Sequence, residues 1–171
     1  MEPSFVVIEA WLAGNAPRLQ GMLNPPASIA DIATFEARTS LVLPPEARQF
    51  YAIHDGEAEG SDGIFGCRRW LPLEVVAEEV ELIGSEGIVP LFRSGGGDLL
   101  CVKSQANATP DRHLYEWWHE VPEPLTVVAE SLEAFILQFV TDLYSGRYLY
   151  LPDELEALID RQDLPEEQRH G

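Results

Sequence analysis

Cationic side chains are scarce in this sequence. Eleven Lys and Arg face 29 Asp and Glu, and Lys103 is the one lysine, which leaves a formal net charge of −18. A field of that sign repels phosphate backbones and anionic lipid leaflets, so nucleic-acid and membrane-surface binding are disfavoured from long range. It attracts a basic protein or a metal ion, unless the acidity serves solubility alone. Cysteine is equally rare. Cys67 and Cys101 are too few for a disulfide framework and read as two free, buried thiols of a reducing compartment, the cytoplasm. No apolar run reaches the roughly 18 residues of a membrane span. The residues Met1 to Phe5 carry no Lys or Arg, and Glu9 and Gly14 interrupt the short apolar stretch there, so no secretory signal is expected. Repeats, low-complexity tracts and Gly/Ser linkers are missing, and 171 residues suit one domain, 1–171, with a single core.

What is present is the composition of a folded protein, 46% hydrophobic, which excludes a disordered chain. Phe5, Ile8, Trp11 and Leu12 share one helical face, with Glu9 opposite. Asn24-Pro25-Pro26-Ala27 is a loop, because proline cannot continue a helix. Ser28 caps a second helix with Asp31 as the capping-box acid, and Ile29, Ile32 and Phe35 are expected inside. Pro44-Pro45 opens a third helix through Ala47, Phe50, Tyr51 and Ile53, stopping at Asp55-Gly56. Ile64-Phe65-Gly66 and Arg69-Trp70-Leu71 read as short strand-like pieces, and a helix follows from Leu73 to about Ile83. Val89–Arg93, Leu99–Lys103 and His113–Trp118 are strand candidates, with Val127-Val128 a further edge piece. Their connections, Gly95–Asp98 and Asn107–Asp111, carry turn chemistry, which makes an antiparallel meander.

Ser131 then caps the clearest helix, with Leu132, Phe135, Ile136, Phe139, Val140, Leu143 and Tyr144 on its buried face and Gly146 at its end. Tyr148-Leu149-Tyr150 is strand-like, and the acidic tail 150–171 shows an amphipathic pattern in Leu155, Leu158 and Ile159. The order of elements predicts an α+β fold: an antiparallel meander with helices packed mainly on one face.

The candidate chemistry is sparse. Gly95-Gly96-Gly97-Asp98 precedes a strand rather than a helix N-terminus, so it is a hairpin turn and not a phosphate cradle, with Asp98 hydrogen-bonded to turn amides. Asp55-Gly56-Glu57-Ala58-Glu59-Gly60 imitates the opening of a calcium loop, but Gly66 stands where the bidentate Glu is required. His54, His113 and His119 lack metal-ligand spacing, and no Gly-x-Ser-x-Gly elbow or activated cysteine is present. No metal, cofactor or catalytic residue is expected. Two features invite a protein partner instead. Glu57, Glu59 and Asp62 form an acidic loop, and Glu74, Glu78 and Glu81 recur at helical spacing as one carboxylate stripe, which is either a solvated face or a docking rim. Trp118, pointing opposite to Trp117, is either covered by the C-terminal segment or a partner anchor.

The ordered set of motifs resembles a known group. A Trp11 helix precedes Ile32-Ala33-Thr34-Phe35-Glu36, Leu41-Val42-Leu43-Pro44 and Phe50-Tyr51-Ala52-Ile53-His54-Asp55-Gly56. Ile64-Phe65-Gly66, Trp70-Leu71-Pro72-Leu73, Pro90-Leu91-Phe92 and Gly96-Gly97-Asp98-Leu99-Leu100-Cys101 follow. Tyr115-Glu116-Trp117 and Ser131-Leu132-Glu133-Ala134-Phe135 close the set. Over about residues 11–139 the chain resembles the SUKH superfamily, which includes the yeast cell-wall-assembly regulator and bacterial relatives. The resemblance implies an α+β binding domain without a shared catalytic constellation. It also implies a protein partner: for an immunity protein, a cognate toxin of nuclease or deaminase type. A regulatory or scaffold module of the same fold is the alternative, and a small enzyme a distant third.

Overall fold

A computed structural model describes the chain except for residues 85–86, 106–110, 122–124, 154, 167–168 and 170–171. The described residues form six α-helices: α1 Glu2–Asn15, α2 Pro17–Gln20, α3 Ile29–Thr39, α4 Pro45–Tyr51, α5 Leu73–Ile83 and α6 Leu132–Tyr144. The strands are β1 Arg68–Trp70, β2 Ile88–Ser94, β3 Leu99–Lys103, β4 Leu114–Trp117, β5 Thr126–Ala129, β6 Tyr148–Tyr150 and β7 Leu158–Asp160. The first five form one antiparallel sheet in the order β1-β2-β3-β4-β5, as the meander predicted, and β6 pairs with β7 in a separate two-stranded sheet. The turn assigned to 107–111 lies almost wholly outside the described residues.

Alternation along β3 divides the sheet into two faces. Leu100 and Val102 join the main core with the helices, whereas Leu99 and Cys101 join Ile88 in a small cluster on the other face, against Ile83, Trp117 and Leu125. Proline is tolerated inside β2 because the register shifts between Pro90 and Phe92, so the missing N–H falls at an irregularity of the ladder. Aromatic rings fill the centre: Phe5, Phe50, Phe65, Trp70 and Phe92 are all buried. Phe65 bridges to α6 through Phe139, with ring centroids 4.7 Å apart.

Local rules set the helix ends. Ser28 accepts from the Asp31 N–H while Asp31 accepts from the Ser28 N–H, a complete capping box. Ser131 accepts from Ala134 N–H at 3.0 Å. Several expectations require correction. Ile29 is 89% exposed, because the α3 face that meets α5 is centred on Ile32 and Phe35. Helix α4 ends at Tyr51, before Asp55, and Tyr144 is 61% exposed at the last turn of α6. Ile64-Phe65-Gly66 is a turn rather than a strand. In the tail, Leu158-Ile159-Asp160 is a strand, since Tyr148–Tyr150 offers it a ladder that an isolated helix would lack.

Candidate functional site

The α3 and α5 helices lie side by side, and α5 carries the predicted carboxylate stripe. Glu74, Glu78 and Glu81 are all exposed along α5. Arg38, on α3, donates from Nε to Glu81 Oε1 at 2.9 Å. Its pKa is raised by that hydrogen bond first and, against desolvation, by the fields of Glu81, Glu78 and Glu74. One guanidinium therefore stands against three carboxylates.

Between the two helices runs a groove of about 300 Å³ whose walls include Asp31, Phe35, Arg38, Asp55, Leu73 and Glu74. Asp55 was not among the predicted site residues. Its Oδ1 accepts from Leu73 N–H at 2.9 Å, capping α5 from outside because Pro72, at the N-cap, has no capping side chain. Burial raises the Asp55 carboxyl above its usual range against that hydrogen bond, and the fields of Asp31 and Glu74 add to the rise.

The acidic loop divides. Glu59 and Asp62 are exposed, with Asp62 Oδ2 accepting from Glu156 N–H at 3.1 Å. Glu57 is 0% exposed and cannot meet a partner: its carboxylate accepts from Trp70 N–H at 2.8 Å, from Ile64 N–H at 3.2 Å and from the Ser61 hydroxyl. Its expected place on the acidic rim is thereby corrected. The physical reason is the open edge of β1. Trp70 faces no further strand there, and its N–H and carbonyl are both satisfied by Glu57; just beyond the strand, Leu71 N–H returns to Leu91 O of β2 while the Tyr51 hydroxyl donates to Leu71 O at 2.9 Å. The chain reaches this position only because Gly56 adopts φ +65°; a Cβ there would fall 2.6 Å from the Leu71 carbonyl carbon.

Trp118 lies one residue beyond β4 and is 49% exposed, while Trp117 packs on the small cluster. Beside it, Asp98 accepts from His119 N–H at 3.2 Å and from His119 Nδ1 at 2.9 Å. Asp98 thus ties the β2–β3 turn to the end of β4 and does not cap amides of its own turn, as had been expected.

Most of the cationic side chains are paired within the chain. Arg18 pairs with Glu156, Arg48 with Glu36, Arg93 with Glu79 and Arg112 with Glu46. Because the few cations are taken in this way, surplus carboxylates face solvent. His54 and His113 also have separate partners: His54 faces Glu9 Oε1 and Asn24 O, and His113 faces Asp111. Among the described residues, no group of three or more His, Cys, Asp and Glu side chains is placed to hold a metal ion, and no helix is long and apolar enough to cross a membrane. Cys67 and Cys101 are free thiols, the first half-buried and the second fully buried. Burial raises both, which opposes thiolate chemistry.

In a comparison with protein families, the model of the SMI1/KNR4 family (SUKH-1) matches residues 26–138, most of the chain, including α3, α5 and the five-stranded sheet. A comparison with curated proteins gives no match.

Proposed function

The chain belongs to the SMI1/KNR4 family (SUKH-1), and from that premise we propose that it is a non-catalytic protein-binding module that captures and neutralises a basic toxin domain of nuclease or deaminase type. The observation that carries the choice of a basic partner is the α5 face, where Glu74, Glu78 and Glu81 are exposed and share the field of one guanidinium, Arg38. A nuclease must present cations to its substrate, and a folded anion of charge −18 competes for the same surface. Glu59 and Asp62 extend the acidic rim. Trp118 is the anchor, since a half-exposed indole gains most from being desolvated in a partner's pocket.

Affinity capture from the native lysate at low salt, with mass spectrometry of what is bound, is expected to return one basic protein in one-to-one complex. Adding the chain to that purified protein should abolish its nuclease or deaminase activity. A partner whose activity is untouched, or a set of unrelated endogenous proteins, overturns this reading in favour of a regulatory scaffold.

A further inference from the structure

Glu57 sits where three segments of the chain meet. Its N–H donates to Trp70 O at 2.9 Å, and its carboxylate accepts from Trp70 N–H, so one residue serves both backbone groups of Trp70 on the open edge of β1. The same carboxylate holds the following loop from inside through the Ser61 hydroxyl and Ile64 N–H. From outside, that loop receives the C-terminal segment. Leu158 N–H donates to Gly63 O at 3.0 Å, Cys67 N–H to Leu158 O at 2.9 Å, and Asp62 N–H to Glu156 O at 2.9 Å. The loop has little room to re-form differently: Gly63 has φ +123°, and a Cβ there would fall 2.3 Å from the Arg68 carbonyl carbon.

We infer that Glu57 is a proton-dependent brace: with its carboxyl protonated it holds the 57–67 loop, β1 and the C-terminal hairpin in register, and its ionisation loosens the three together. The acid form keeps its hydrogen bonds, because the Ser61 hydroxyl can rotate to accept while the two amides donate. The anion pays for complete burial, which raises the carboxyl from 4.5 to about 7 against the hydrogen bonds from Ser61, Trp70 and Ile64 and the field of Arg69. Arg69, on β1, is the charged group that faces it, donating to the Glu57 carbonyl oxygen at 3.0 Å. Among the described residues of these segments, Asp62, Glu156, Cys67 and Arg68 turn elsewhere, Arg68 toward Glu116. Asp62 takes the Glu156 N–H, Glu156 pairs with Arg18 and accepts from Tyr150, and the Cys67 thiol donates to Leu158 O. Leu23, which bridges to Glu57 from the N-terminal side, brings no charge.

The unfolded carboxyl ionises near 4.5 and the folded one near 7. Folding therefore takes up a proton between those values, and this contribution to stability is present below the window, falls as pH rises through it, and stays lost above it. Hydrogen exchange of the Ile64, Cys67, Trp70 and Leu158 amides, corrected for intrinsic rates, is expected to lose protection by about ten-fold or more between roughly pH 5.5 and 8. Glu57→Gln is expected to remove that dependence. Carbon NMR titration of the Glu57 carboxyl in the unmodified chain decides the case even if the variant does not fold. A midpoint below pH 5, pH-independent protection, or the same dependence in E57Q overturns the proposal.

Discussion

Phe50 and Trp70 stack with ring centroids 3.7 Å apart and planes 24° from parallel. Phe50 belongs to α4 and Trp70 to β1, so this contact seats a helix against the edge of the sheet, with Phe5 and Phe65 at the same rings. Both side chains are fully buried. Phe50→Ala is expected to cost about 3–5 kcal/mol, the range for deleting a buried aromatic ring. Urea unfolding measures it, and an unchanged midpoint would mean the stack is not part of the cooperative core.

On α6 the periodicity and the structure separate two neighbours of the same stripe. Phe139 is buried against Phe65 and Tyr148, whereas Tyr144 stands in solvent. Phe139→Ala should again cost about 3–5 kcal/mol, while Tyr144→Ala should stay within about 0.5 kcal/mol. Thermal or urea melts of the two variants side by side check the difference; equal losses would show that α6 is rotated from its assigned position.

The Ser28–Asp31 capping box is exposed and its hydrogen bonds run between residues three apart, so removing the Ser28 hydroxyl tests a local contribution. Ser28→Ala is expected to lower stability by about 1 kcal/mol. Because α3 carries Arg38, circular dichroism and unfolding should report a weakened helix without loss of the fold; no change at all would place the cap's donors with water.

Association with a basic partner should be governed by two different sets of residues. Replacing Glu74, Glu78 and Glu81 by Gln is expected to slow association several-fold at low salt, and the difference should vanish toward 1 M salt, where the screening length is about 3 Å. Trp118→Ala is expected to act on the dissociation rate instead. Stopped-flow kinetics at two salt concentrations distinguishes them. Association insensitive to both salt and substitution would reduce the acidity to a solubility device.

Elemental analysis of protein purified without chelator should find well under one metal ion per chain. The motivation is local: Asp55 and Glu57 are engaged by backbone N–H groups, and His113 and His119 each face their own aspartate. One tightly held ion per chain would contradict it.

Several features set by neighbours within a few residues were legible in the sequence, although the turn at Ile64-Phe65-Gly66 and the end of α4 were not. Helix α5 begins at Leu73 and ends at Ile83, as its spacing predicted, and the capping box at Ser28 formed. The meander followed from turn residues and alternation, and the order of its motifs already carried the family resemblance. Long-range packing decided the rest. Ile29 has the periodicity of a core residue, but the rotation of α3 against α5 leaves it outside. The spacing of Leu155, Leu158 and Ile159 suits a helix, yet β6 provides a strand partner that no local pattern announces. Glu57 stands in a run of small and acidic residues that reads as a solvated loop. Its burial depends on Trp70, thirteen positions later, whose backbone groups on the open edge of β1 needed a partner. A hydrogen bond across that separation exists only once the sheet edge and the loop have come together, and no composition or periodicity encodes it.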